Sequence, residues 1–171
     1  MRVLARKTKA NPVLVGEAGV GKTALVEALA QRAIEPGAPE LLQGIRLVEL
    51  LTSSLIAGTE YRGQFEQRIQ KILREVESDP KLLLFIDELH TAVGLGQTRG
   101  SSQGLSEVLK PALARGTIRV IGATTLAEYS AHIENDPALS RRFQPVRLDE
   151  PSRGEAIEIL RHVVPELEAH H

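Results

Sequence analysis

Gly16, Gly19 and Gly21 crowd together directly after the apolar run PVLV at 12–15 and directly before the run ALVEALA at 24–30. Glycine loses more conformational freedom on folding than any other residue, so such a cluster marks a backbone path that side chains would obstruct. Gly16, Glu17, Ala18, Gly19, Val20, Gly21, Lys22 and Thr23 fit the spacing G-x-x-x-x-G-K-[ST]. In that pattern, placed between a strand and a helix, successive backbone N–H groups turn inward around phosphate oxygens. The N-terminus of the following helix adds its partial positive charge. Lys22 then reaches the outer phosphates, Thr23 offers its hydroxyl to Mg²⁺, and Ala24 completes the phosphate-binding set. The loop needs a strand before it and a helix after it, so it restricts the chain to an α/β fold.

The rest of the chain supplies that alternation. Strands are expected at 12–16, 45–50, 81–89, 117–125 and 145–151, and helices at 22–34, 65–77 and 105–114, with a final helix opened by Ser152 and Glu155 as a capping box. The first helix is expected to bury Ala24, Leu25, Ala28 and Leu29, and the second Phe65, Ile69, Ile72, Leu73 and Val76. The run KLLLFIDEL reads as a strand buried on both faces, and the Gly- and Ser-rich stretch 94–104 as a loop. Alternating elements without an internal repeat imply a parallel sheet between two helical layers, with the ligand at the carboxyl ends of its strands.

Binding phosphate is not enough for hydrolysis, which also needs a cation anchor and a group that orients water. Asp87 and Glu88 end the apolar strand and fit those two roles. Thr124 and Thr125 end the next strand, where a threonine can orient water or simply cap the following helix. Arg141 and Arg142 lie between the fourth and fifth strands, in a position expected to be remote from the chain's own phosphates. An arginine can stabilise a transferring phosphoryl group on a neighbouring subunit. The 171 residues, 42% hydrophobic and 25% charged, suit one globular domain; they include no cysteine, which favours a reducing compartment, and a net charge of −1 gives no broad footprint for nucleic acid. Neither a membrane-length apolar run nor a signal-peptide core is present in the sequence, so a cytoplasmic protein that contacts neither membrane nor nucleic acid is expected.

With these stations in order, the chain resembles the large α/β subdomain of the first nucleotide-binding domain of Clp-type AAA+ protein unfoldases and disaggregases. The similarity runs through NPVLVGEAGVGKTALVEALAQR, AGTEYRGQFEQRI, LFIDELHTAVG, LKPALARGTIRVIGATTLAEY and DPALSRRFQPV. It implies a three-layer P-loop core with a five-stranded parallel sheet, and ATP hydrolysis with Mg²⁺ that drives polypeptide through a homo-hexameric ring. By match, Lys22 and Thr23 resemble the Walker A pair and Asp87 and Glu88 the Walker B pair. Thr125 matches the sensor threonine, and Arg141 and Arg142 the trans-acting arginine fingers. Tyr61, with Arg62 and Gly63, matches the pore loop that grips unfolded or aggregated polypeptide, and 94–104 matches a second pore loop. A protease or co-chaperone partner follows from the same resemblance. His90, His170 and His171 also follow the family pattern and are read as structural.

Glu60 stands where the family usually has lysine, which changes the charge of the pore. The chain starts partway into the family's opening helix and ends before its small helical subdomain. Residues 1–171 are therefore expected to form a single large subdomain, monomeric when isolated, that binds nucleotide poorly and hydrolyses it slowly. Two further function classes stay open at this stage: a nucleotide-gated assembly module with little turnover, and a DNA-remodelling AAA+ protein.

Overall fold

A computed structural model describes residues 2–6, 10–56, 62–94 and 105–168. Five strands, β1 (Asn11–Val15), β2 (Arg46–Glu49), β3 (Leu82–Ile86), β4 (Val120–Thr124) and β5 (Phe143–Arg147), form one sheet in the order β2-β3-β4-β1-β5. All four neighbouring pairs are parallel. The helices are α1 (Lys22–Ile34), α2 (Thr52–Ile56), α3 (Arg62–Ser78), α4 (Leu89–Gly94), α5 (Leu105–Arg115), α6 (Leu126–Tyr129), α7 (Pro137–Ser140) and α8 (Arg153–Glu168). A π-helical turn (Ser130–Glu134) continues α6. The expected α/β class with a five-stranded parallel sheet is what the chain adopts.

Alternation along the strands divides the core in two, because successive side chains of a strand point to opposite faces. Val13, Val15, Leu84, Ile86 and Val120 face one way and pack with Phe65, Ile69, Leu73 and Val76 of α3 and with apolar residues of α4 and α5. Leu14, Leu83, Phe85, Ile121 and Ala123 face the other way and meet Leu4 and Val26. The second layer is thinner. Grooves flank α1 there, one lined by Leu14, Leu25, Ile121 and Val146, the other by Leu29, Ile34, Leu47 and Leu83.

That thin layer corrects one expectation. Ala24, Leu25 and Ala28 are exposed, and α1 buries Val26 and Ala33 with Leu29 and Ala30 half-buried. Apolar residues lie all round α1, interspersed with Lys22, Glu27, Gln31 and Arg32, so the pattern does not single out one face and only its seating on the sheet chooses the stripe. The third strand is also shorter than expected: it stops at Ile86, and Glu88 takes φ +47° before α4 begins. A helix capped at the end of β4 is one of the two readings of Thr124 and Thr125, and α6 is that helix; α2, α4 and α7 were not anticipated. Each has six residues or fewer, too short for a helical repeat to show in the sequence. Ser152 and Glu155 do form the expected capping box at the start of α8.

The strand order positions the chemistry. From β1 the chain crosses to the far edge at β2, whereas from β4 it crosses over β1 to reach β5. The crossovers diverge on either side of the β4–β1 pair, and such a switch point opens a crevice at the strands' carboxyl ends. Val15 is in register with Thr124, and Ile86 with Gly122. The loop after β1, the acids after β3 and the threonines of β4 therefore come to one end of the sheet.

Candidate active site

The loop 16–21 takes its shape from its glycines. Gly19 and Gly21 have φ of +82° and +93°, where a side chain would be strained, and Gly21 caps α1 without a side-chain hydrogen bond. A Cβ on Gly16 would lie 2.5 Å from the carbonyl oxygen of Leu148, so the loop leaves β1 pressed against the end of β5. The first amides of α1 have no partner within the helix and point outward from its N-terminus, as an anion requires. Lys22 Nζ donates to the carbonyl oxygens of Gly16 and Glu17, both at 2.8 Å, so the ammonium lies over the loop.

Asp87 and Glu88 enter from β3. Thr23 Oγ1 donates to Asp87 Oδ2 at 2.9 Å, and the Glu88 amide donates to Asp87 Oδ1 at 2.9 Å. Asp87 is half-buried and Glu88 exposed. Glu88 is the one non-glycine with positive φ among the described residues. A left-handed conformation at a residue with a side chain costs on the order of 1–3 kcal/mol, and here it turns the chain sharply from β3 into α4. The oxygen pair from Thr23 and Asp87 fits Mg²⁺ in chemistry and in spacing. Mg²⁺ takes oxygen ligands in an octahedron at about 2.0–2.1 Å, which puts adjacent ligands roughly 2.9 Å apart.

The third wall is a hydrogen-bonded cluster that the sequence reading did not identify. Thr124, only 3% exposed, donates through Oγ1 to Glu128 Oε2 at 3.1 Å and lies 3.0 Å from His90 Nδ1. His90 Nδ1 is also 3.1 Å from Glu128 Oε2. Thr125 is the N-cap of α6: its hydroxyl donates to Glu128 Oε2 at 2.8 Å and accepts from the Glu128 amide at 3.3 Å, closing a capping box. Burial alone would raise the Glu128 carboxyl. The Thr125 hydroxyl and amide, the Thr124 hydroxyl and the His90 ring together hold it below its ordinary value. The T-x-x-E spacing of Thr125 and Glu128 was the available signal for the cap. Nothing local signals His90, because α4 and the end of β4 meet only in the fold.

Ala18, Lys22, Thr23, Asp87, Glu88, His90, Thr124, Thr125 and Glu128 line one cavity of about 330 Å³. Lysine, carboxylates and hydroxyls thus converge at a helix N-terminus. Such a set can bind a polyphosphate, hold a hard cation and orient water against the outermost phosphate.

Arg141 and Arg142 are elsewhere. Phe143 pairs with Asn11, at the amino ends of β5 and β1, while the cavity lies beyond Val15 at the carboxyl ends. Five residues of strand separate the two levels, roughly 16 Å. Tyr61 and Glu60, the stretch 95–104, and His170 and His171 lie outside the described residues. Arg62 and Gly63 begin α3.

Comparison with known proteins agrees with this architecture. The chain is 53% identical over 171 residues to the chaperone protein ClpB of Helicobacter hepaticus, covering all of this chain and 20% of that protein. It is 52% identical over 171 residues to the ATP-dependent Clp protease ATP-binding subunit ClpC of Staphylococcus saprophyticus, covering all of this chain and 21% of that protein. It superposes on Hsp104, solved in a closed state with ATPγS and FITC casein, with a TM-score of 0.82 and 46% identity over 99% of this chain and 29% of Hsp104. The chain therefore spans about a fifth of the length of the curated relatives it matches. The family model for AAA, the ATPase family associated with various cellular activities, matches residues 12–148, and the chain belongs to that family.

Proposed function

We propose that the chain binds ATP with Mg²⁺ at the cavity after β1 and hydrolyses it, as the nucleotide-handling core of a ring that unfolds and threads polypeptide. The observation that carries this reading is the meeting of Lys22, Thr23, Asp87 and Glu88 at one helix N-terminus. The loop amides and Lys22 hold the outer phosphates, and Thr23 and Asp87 hold Mg²⁺, which when bound neutralises developing phosphate charge. Glu88 is the base that orients and deprotonates the attacking water. Thr124 and Thr125 form the polar edge facing the outermost phosphate, and Thr125 combines that role with its cap.

Arg141 and Arg142 act on the nucleotide of a neighbouring copy, since their own cavity is at the other end of the sheet. On this reading the active form is a closed assembly, a homo-hexamer in line with the Clp resemblance. Polypeptide as substrate is supported by the relatives, chaperones and a protease subunit by name, and by the casein bound to Hsp104. Tyr61 is the residue proposed to grip it. No described helix is long and apolar enough to cross a membrane, and a cytoplasmic setting is proposed on that basis together with the bacterial ClpB relatives. Measuring ATP binding and turnover of Glu88→Gln and Tyr61→Ala tests the reading. Binding without turnover in the first, and turnover without unfolding in the second, are the expected results; full turnover by Glu88→Gln refutes the assignment of the base.

A further inference from the structure

Arg141 and Arg142 are mounted rigidly but reach for nothing nearby. Among the described residues neither guanidinium forms a hydrogen bond or an ion pair, and Arg141 is exposed. Their backbone is pinned instead. The Arg142 amide donates to the carbonyl of Leu139 at 2.9 Å, Asn11 Nδ2 donates to the carbonyl of Arg142 at 3.4 Å, and Leu139 is 1% exposed. The element that leads into them, α7, is four residues long and has Arg141 as its C-cap. A single turn does not hold itself together in water, so its neighbours must fix it.

Asp136 is the link between α7 and those neighbours. Its Oδ1 caps α7 by accepting from the amides of Ala138 and Leu139 at 2.9 and 3.2 Å. Its Oδ2 lies 2.8 Å from Lys110 Nζ on α5, and Lys110 also lies 2.8 Å from Glu107 Oε1. The side chains of Lys110 and Asp136 are 23% and 27% exposed. A pair withdrawn from water to this degree is screened less than the open-surface pairs that contribute little. One carboxylate therefore does two separable jobs. Asparagine caps a helix as well as aspartate does, so the cap needs no charge, and only the contact with Lys110 does.

We propose that Lys110 is a positioning residue for phosphoryl transfer, holding through Asp136 the one-turn helix that aims Arg141 at the nucleotide of a neighbouring copy. This rests on the role given above to Arg141.

The test uses Lys110→Gln, Lys110→Arg and Asp136→Asn. In the 171-residue chain, Lys110→Gln and Asp136→Asn should speed hydrogen exchange at the amides of Leu139 and Arg142 about tenfold, with sheet amides such as Leu84 unchanged. In turnover assays of the assembled ring, where each nucleotide has a neighbouring copy beside it, both should lower kcat roughly 10- to 100-fold at unchanged KM, because their own nucleotide pocket is intact, and Lys110→Arg should restore most of the loss. Mixing Lys110→Gln with Lys22→Ala subunits should recover turnover, since the Lys22→Ala copies lend correctly aimed arginines to intact pockets. A pair that only stabilises the fold predicts lower melting temperatures with kcat retained and no recovery on mixing, and either result overturns the proposal. If Arg141→Ala itself keeps full turnover, the trans-acting reading fails. If Arg141→Ala is inactive while Lys110→Gln is fully active, only the assignment of Lys110 fails.

Discussion

Thr23 Oγ1 donates a 2.9 Å hydrogen bond to Asp87 Oδ2, joining the first turn of α1 to the end of β3. The two strands that lead to these residues are not neighbours, since β4 runs between β1 and β3. The contact spans that strand at the switch point, and it sets the oxygen spacing that suits Mg²⁺. Around it, the exposed Glu88, the Lys22 side chain and the cluster of Thr124, Thr125, His90 and Glu128 line the rest of the cavity.

Lys22 and Glu88 should separate binding from chemistry. Lys22→Ala removes a charged hydrogen-bond donor to phosphate, a contribution of about 1.5–3 kcal/mol, so ATP affinity should fall roughly 10- to 100-fold. Glu88→Gln keeps size and backbone but loses the carboxylate proposed as the base. Its turnover should fall roughly 10²–10⁴-fold with affinity unchanged, as read by calorimetric titration beside a phosphate-release assay.

Thr125 is predicted to have two roles that different substitutions separate. Thr125→Ala loses the cap, at about 1 kcal/mol, and should also lower turnover roughly tenfold or more. Thr125→Ser should restore both. Glu128→Ala breaks the capping box from its other half and leaves the Thr125 hydroxyl in place, so it should match the stability loss with a smaller loss of turnover. Equal turnover losses in the two alanine variants would leave Thr125 as a cap alone.

Gly16→Ala should destabilise the domain, because its Cβ would come within 2.5 Å of the Leu148 carbonyl oxygen, a backbone atom that cannot swing aside. Overpacking of this kind costs about 1–3 kcal/mol, or roughly 2–12 °C in melting temperature for a domain of this size. Because the displaced loop is the one proposed to hold phosphate, nucleotide affinity should fall with it. A thermal melt and a binding titration of the same sample check both.

The acid limb of stability should report on Asp136. Burial acts to raise its carboxyl, but hydrogen bonds from Lys110 and from the amides of Leu139 and Ala138 hold it below its ordinary value. A lowered folded-state pKa contributes stability above the unfolded value, near 4 for aspartate, and loses it as pH falls through the folded value. The gap in melting temperature between the wild type and Asp136→Asn should therefore be constant near neutrality and close below about pH 4. Asp136 bonding raises Lys110 above its ordinary value, so that half of the pair should fail only as pH climbs past about 10.4 and through the raised value.

The amino-acid sequence determined by itself what depends on local pattern. The glycine spacing fixed a turn between the first strand and the first helix, the β-branched and leucine-rich runs fixed the five strands, and their alternation with longer helices fixed a parallel sheet, all of which the structure contains. It also named Lys22, Thr23, Asp87 and Glu88, since each follows a strand that the sequence displays. Tertiary structure alone decided which face α1 buries, because a helix whose apolar residues are spread around every side, among charged ones, has no preferred stripe until it meets the sheet. It alone brought His90 to Thr124, residues 34 apart whose encounter requires β3 and β4 to be neighbours. The Lys110–Asp136 strut was hidden for the same reason: an ion pair between distant segments leaves no periodicity, and only packing of α5 against α7 creates it.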